Sequence, residues 1–88
     1  MAKRESQEKL TARLASAADK VVVGAKYRHY KDQIYTVLAL ALREEDNEPC
    51  VVYRAEYGDR ISFTRPVANW IEQVEIDGKK VNRFTLLS

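Results

Sequence analysis

The chain has few of the residues on which most metal and catalytic sites are built. Its 88 residues include one histidine, one cysteine, three glycines and two prolines. A zinc site needs three or four ligands, and His29 and Cys50 supply at most two of the Cys/His type. One cysteine cannot form an internal disulfide, and three separate glycines do not form a phosphate-binding loop. We therefore expect no metal and no cofactor, and we favour a protein that is not an enzyme.

Long apolar runs are also lacking. No stretch approaches the ~20 apolar residues that span a bilayer, and residues 1–20 contain no apolar block of the kind that secretory signals carry. The single cysteine does not indicate export to an oxidising compartment. The sequence thus predicts a cytoplasmic protein with no membrane partner.

Neither sign of charge dominates, but the charges are segregated along the chain. The net charge is +2, from 15 basic and 13 acidic residues. Residues 1–31 have eight basic and three acidic residues, residues 32–59 have two and seven, and residues 60–88 have five and three. The pI of about 8.8 lies just below the value of about 9 that is typical of nucleic-acid-binding domains. We expect the acidic residues of the middle segment to weaken any attraction for phosphate.

The front of the chain has the pattern of a helix. Leu10, Leu14, Ala17 and Val21 fall on one stripe of a 3.6-residue period, and Ser6 is a suitable N-cap. Residues 1–23 are therefore predicted to form an N-terminal tail and an accessory helix. With two leucines in the stripe, the helix either packs lightly on the domain or forms the contact of a homo-oligomer.

Gly24 begins a β-rich segment, residues 24–88, which we interpret as a single domain. The stretch from Ile34 to Leu42 is apolar and is predicted as one long strand buried on both faces, although its second half would also suit a helix. Asp77-Gly78 is a strong hairpin signal, and Pro66 can begin one helical turn. The predicted fold is mainly β (α+β): a small SH3-like, partly closed β-barrel or rolled sheet preceded by one N-terminal helix.

Several short motifs occur in a distinctive order. They are Tyr27-Arg28-His29-Tyr30-Lys31, Val51-Val52-Tyr53-Arg54, Tyr57-Gly58-Asp59, Arg65-Pro66, Asp77-Gly78-Lys79 and Arg83-Phe84. From residue 24 to about residue 84 the chain resembles a family of small bacterial proteins known as domain of unknown function 1653. The resemblance implies a compact β-rich fold and brings no established activity or cofactor. Relatives have a polar His-Ser-Glu-Thr stretch at residues 43–46, Trp at position 63 and Phe at position 70, so a site built on that stretch would be missing here.

The candidate binding residues mix aromatic rings with charged groups. Rings interleaved with cations can bind single-stranded nucleic acid, because bases stack on rings while Arg and Lys contact phosphates. The alternative is an ordinary sheet face, in which the tyrosines cover the core and Arg28 or Arg65 pairs with Asp59 or Glu56. The candidates are Tyr27, Arg28, His29, Tyr30, Arg54, Asp59 and Arg65.

The leading functional hypothesis is a non-catalytic binding module for peptide or nucleic acid, so the expected partners are a protein or single-stranded nucleic acid. One alternative is a small-molecule binder or small enzyme that uses His29 with Arg28, Arg65 and Asp59. Another is an oligomeric structural protein whose front helix contacts a second copy.

Overall fold

The front of the chain forms the predicted helix. The structure, a computed structural model, describes residues 5–88. Helix α1 spans Gln7–Ala18, and the Ser6 side chain caps it by accepting a hydrogen bond from the Lys9 backbone N–H at 3.2 Å. The buried contacts come from Ala17 and from Val21 just beyond the helix. These small side chains, more than the two leucines, join the front segment to the sheet.

The remainder is an antiparallel sheet with a separate hairpin. Five strands pair in the order β4-β3-β2-β1-β7, and β5 pairs with β6 alone. A short helix, α2, follows β4 directly. The elements after α1 are β1 (Lys26–His29), β2 (Ile34–Leu42), β3 (Pro49–Ala55), β4 (Ser62–Pro66), α2 (Val67–Trp70), β5 (Gln73–Ile76), β6 (Lys79–Asn82) and β7 (Phe84–Leu86).

Strand β2 is continuous, which confirms the choice of strand over helix in its second half. The expectation that both faces would be buried is wrong. Val37 is fully buried, whereas Leu38 is 39% exposed. The pairing with β3 shifts register between Val37 and Ala39, so Leu38 occupies a β-bulge. A bulge bends the strand and increases its twist, which helps to curve the sheet.

The turns follow the sequence signals. Asp77 and Gly78 both have positive φ, 51° and 80°, and join β5 to β6. Positive φ at both central residues is the condition for a type I′ hairpin turn, which Asp-Gly satisfies at low cost. The helical turn predicted after Pro66 is also present, as α2.

The five-stranded sheet is strongly rolled. Its edge strands β4 and β7 lie four strand spacings apart, which is about 19 Å in a flat sheet. However, the guanidinium carbon of Arg65 on β4 lies 5.4 Å from the ring centre of Phe84 on β7. The two edges do not hydrogen-bond to each other, so the sheet stays open. The β-rich fold with one front helix is confirmed in its rolled-sheet form, and the SH3-like comparison stays a prediction.

Aromatic side chains fill the inside of the roll. Trp70 of α2 stacks on Phe84, with ring centres 3.6 Å apart and planes 3° from parallel. Tyr27 and Tyr53 meet Trp70 edge-on, at 5.3 and 4.9 Å. Edge-to-face pairs are worth about 0.5–1.5 kcal/mol each beyond the area they bury. The Trp70–Phe84 stack therefore joins the helical turn after one edge strand to the other edge strand.

The division at residues 23 and 24 stays a prediction. Val21 and Ala17 belong to the same buried cluster as Val37 and Tyr27 of the sheet. The front segment thus contributes to the core even if residues 24–88 fold without it.

The stack yields a prediction about stability. Replacing Trp70 with Ala removes a side chain that is 2% exposed, and truncating a buried Trp costs about 3–5 kcal/mol. The matched control is Ile71→Ala, one residue further on and 45% exposed, which should cost less than about 1 kcal/mol. Urea unfolding followed by far-UV circular dichroism measures both. Equal losses in the two variants would contradict the role given to the stack.

Candidate functional site: the open end of the rolled sheet

The inner face of the sheet is covered only in part. Helix residues Val67 and Trp70, with Val21, pack over its buried portion. Beyond them the same face continues as a set of half-buried or exposed side chains, which we call the open end. The open end consists of His29, Tyr35, Tyr57, Phe63 and Arg65.

Strand pairing explains why these residues share a face. Side chains alternate along a strand, and directly paired residues lie on the same side of the sheet. Tyr35 pairs with Ala55, and Phe63 pairs with Tyr53. The Tyr53 ring lies 5.3 Å from the Tyr35 ring and 5.9 Å from the Phe63 ring. The open end is therefore a continuation of the aromatic core to the surface.

The contacts of His29 determine which ring nitrogen carries its proton and how readily the ring takes up a second one. Its Nδ1 accepts a hydrogen bond from the Lys31 backbone N–H at 3.2 Å, so the proton of the neutral ring lies on Nε2. The ring meets Phe84 edge-on at 5.0 Å. Burial lowers the pKa of His29, and the positive charges of Arg65, Arg83 and Lys31 lower it further. His29 is thus neutral at pH 7 and surrounded by cations.

Two tyrosines form a hydroxyl pair at the rim. The Tyr35 and Tyr57 oxygens are 2.8 Å apart. Burial, followed by this hydrogen bond, raises the pKa of Tyr35 to about 12. The Tyr35 hydroxyl therefore stays protonated at physiological pH. Tyr57 is 49% exposed.

Arg65 has neutral hydrogen-bonding partners and no carboxylate. Its Nε donates to the Tyr53 hydroxyl at 3.3 Å, its Nη1 donates to the Asn69 side-chain oxygen, and its guanidinium lies over the Phe84 ring. Within residues 5–88 it forms no ion pair. The pairing with Asp59 or Glu56 that an ordinary sheet face would provide is absent for this arginine. Its charge is half-buried and uncompensated.

Arg54 and Arg60 share one carboxylate partner. Both pair with Glu56, at 3.1 and 2.5 Å, on the sheet face opposite Tyr53. A hydrogen bond from Thr36, with Arg54 and Arg60 nearby, lowers the pKa of Glu56 to about 2. Arg54, a predicted site residue, therefore belongs to an outer-face network and lies away from the open end.

The other sequence-predicted site residues separate into three places. Tyr27 is buried, and its hydroxyl accepts a hydrogen bond from the Val22 N–H at 2.9 Å, which is a structural role. Arg28 and Tyr30 line a neighbouring cleft. Asp59 is exposed in the turn before β4. Of the seven candidates, the open end contains only His29 and Arg65.

Sequence reasoning missed three aromatic members of this region, Tyr35, Tyr57 and Phe63. Tyr57 follows Tyr53 at a spacing of four residues, a pattern that places both side chains on one side of an extended chain. The missing information was register: only the observed pairing of β3 with β2 and β4 brings the other rings to that side.

The acidic segment lies at the other end of strands β2 and β3 from Tyr35. Residues 43–48 connect Leu42 to Pro49, whereas Tyr35 and Ala55 pair at the opposite end of the same two strands. Seven residues of strand separate the two ends, or about 23 Å. This exceeds the Debye length of about 8 Å at physiological salt. The acidic residues are therefore far from Tyr35. Arg65, however, pairs with Val51, three residues after Glu48, so the expectation that these residues weaken phosphate attraction stays a prediction. Residues 43–46, where the resemblance marks a difference from relatives, lie outside the site.

Residues 5–88 contain no group of three His, Cys, Asp or Glu side chains placed to hold a metal ion. In the same part of the chain, no helix is long and apolar enough to cross a membrane.

The fold and motifs define the class of protein. A family model described as "Protein of unknown function (DUF1653)" matches residues 25–86. The chain belongs to this family, as the motifs predicted, and α1 lies outside the matched range. Among solved structures, the chain is similar to the crystal structure of a protein of the same family from Bordetella bronchiseptica. The two are 33% identical with a TM-score of 0.67, over 73% of this chain and 85% of that one. No curated protein matches the chain.

The state of His29 yields a prediction. Its pKa should lie below the ordinary value of 6.5 and should rise in Arg65→Gln, because a nearby positive charge is removed. Since the folded pKa is lowered, His29 contributes stability above pH 6.5 that is lost as the pH falls through the lowered pKa. NMR titration of the ring protons measures the midpoint, with Lys20→Gln as a remote control of equal charge change. A midpoint at or above 6.5 in the parent would contradict this description.

Proposed function

We propose that the chain is a non-catalytic binding module whose open end holds single-stranded nucleic acid. The observation that carries the proposal is the Arg65 guanidinium, which forms no ion pair within residues 5–88 and lies on the same sheet face as the exposed Phe63 ring. The second exposed ring, Tyr57, contacts Tyr35 of that face. Tyr57 is 49% exposed and Phe63 is 44% exposed. This combination favours a ligand with both an anionic group and flat rings.

The anionic group is favoured by the chemistry of Arg65. A guanidinium has five N–H donors, and Tyr53 and Asn69 engage two of them. Phosphate accepts paired hydrogen bonds from arginine in a geometry that the planar fork matches. The contacts to Tyr53 and Asn69 also fix the side chain before binding, which reduces the entropy lost when a ligand arrives.

The exposed rings favour bases as the flat groups. Stacking on an aromatic side chain is worth about 1–3 kcal/mol per base and tolerates any sequence. Bases within a duplex are already stacked on one another, so a protein that stacks on them selects single strands. Phe63 lies on the same sheet face as Arg65, and the Tyr57 ring meets Tyr35 of that face at 5.7 Å, which favours a ligand that stacks on rings and meets a cation.

The local charges support the same choice. Arg65, Arg83 and Lys31 all act on His29 as positive charges, so basic groups are concentrated around this residue. Three phosphate contacts would give a slope of about −2 for the logarithm of affinity against the logarithm of salt concentration.

The alternative functions have less support. An acidic peptide would also meet Arg65, but it has no general need for two exposed rings. An enzyme using His29 with Arg28, Arg65 and Asp59 would need these groups assembled, and Arg28 and Asp59 lie outside the open end. Oligomerisation through α1 and a cytoplasmic location stay predictions.

Binding can be tested by fluorescence anisotropy with a labelled oligothymidine, and with a labelled acidic peptide of similar length. We expect Arg65→Gln to weaken oligonucleotide binding about 10- to 100-fold, since hydrogen bonds to charged groups are worth about 1.5–3 kcal/mol. Lys20→Gln, which removes the same charge from an exposed position beyond α1, should change affinity less than twofold.

Three results would overturn the proposal. They are no oligonucleotide binding at low salt, equal effects of Arg65→Gln and Lys20→Gln, and tighter binding of the peptide than of the oligonucleotide.

A further inference from the structure

A second concave surface adjoins the open end. A cleft of about 410 Å³ lies between β1 and the β5–β6 hairpin. Pockets that hold small ligands measure about 300–1,000 Å³, so its size suits one compact group. Its lining includes Arg28, His29, Tyr30, Asp32, Ile76 and Val81.

The cleft and the open end share a wall. His29 lines the cleft, and on the inner face of the sheet its ring meets Phe84 at 5.0 Å and Tyr35 at 6.5 Å. On the cleft side the His29 ring lies 4.4 Å from the Tyr30 ring, at an angle of 34°. A chain of contacting rings therefore leads from the open end around β1 into the cleft.

We propose that the cleft is a second nucleotide subsite for the strand bound at the open end, a proposal that rests on the function given above. One base stacks on Tyr30 and covers Ile76 and Val81, and the adjoining phosphate meets Arg28. The strand passes His29 between the two subsites.

The walls of the cleft fit a base. Ile76 and Val81 lie on the same face of the hairpin and are 42% and 36% exposed. A two-stranded hairpin is marginally stable alone, and no other part of residues 5–88 covers this apolar face completely. Tyr30 on the opposite wall is half-buried, so its ring is held in place. A flat ring between these walls would bury apolar surface on both sides.

The charges favour a phosphate next to that base. Arg28 forms no ion pair with any residue in 5–88, including Asp32, which lines the same cleft. The Lys31 ammonium lies 5.8 Å from the centre of the Tyr30 ring. The cleft thus has one cation in its lining, Arg28, and a second, Lys31, beside the Tyr30 ring, against the single carboxylate of Asp32.

Oligonucleotide length separates the two subsites. We expect the parent to bind a thymidine tetranucleotide several-fold more tightly than a dinucleotide by competition against a labelled oligonucleotide. Arg28→Gln should lower the affinity for the tetranucleotide about five- to tenfold. The affinity for the dinucleotide should change less than twofold. The matched control is Lys80→Gln, which removes a charge from the opposite face of the hairpin, where Lys80 pairs with Glu75. This control should change the affinity for either oligonucleotide less than twofold.

The outcomes distinguish this inference from the proposed function. Arg65→Gln could lower the affinity for both oligonucleotides while Arg28→Gln changes affinity no more than Lys80→Gln does. In that case the cleft is not a subsite, and the open end still binds. A parent with no preference for the longer oligonucleotide also overturns the cleft proposal. If neither length binds to the parent at low salt, both proposals fail.

Discussion

The stack of Trp70 on Phe84 is the contact on which the shape of this protein depends. Trp70 ends the helical turn that follows one edge strand, and Phe84 begins the other edge strand. With ring centres 3.6 Å apart, the pair holds together two edges that a flat sheet would separate by about 19 Å. Tyr27 and Tyr53 then pack edge-on against Trp70, so the aromatic core is organised around one pair.

The same contact determines what is left at the surface. Side-chain contacts hold the two edges of the sheet near each other, but no strand pairing seals the gap between them. The inner face therefore ends in partly exposed rings. Arg65 lies over Phe84 at this boundary. Its guanidinium is held by a phenol, an amide and a ring, none of which neutralises it. The half-buried charge and the exposed rings of Tyr57 and Phe63 are thus a consequence of an open roll in a domain too small to cover its own core.

Local features were predictable from the sequence, and three-dimensional neighbours were not. Ser6 as a cap, Asp77-Gly78 as a turn and the β2 strand all depend on residues close in the chain, and each was confirmed. The site depends on which residues pair across strands: the register decides that Tyr35 joins His29 and that Arg54 faces the other side. The register also decides where the acidic connection at residues 43–48 lies. It is at the other end of β2 and β3 from Tyr35, but Val51, the partner of Arg65, is three residues after Glu48.

In the function that we propose, the open end receives an anionic strand, and the front helix and the connection at residues 43–48 do not. Chemical-shift mapping by two-dimensional NMR, on titration with an unlabelled oligothymidine, tests it most directly. We expect the largest shifts at the Arg65 side-chain Nε–H, the His29 ring and the backbone amides around Phe63. We expect no significant shift from Glu44 to Asn47. Shifts confined to α1 or to the 43–48 connection, with Arg65 and His29 unchanged, would contradict it.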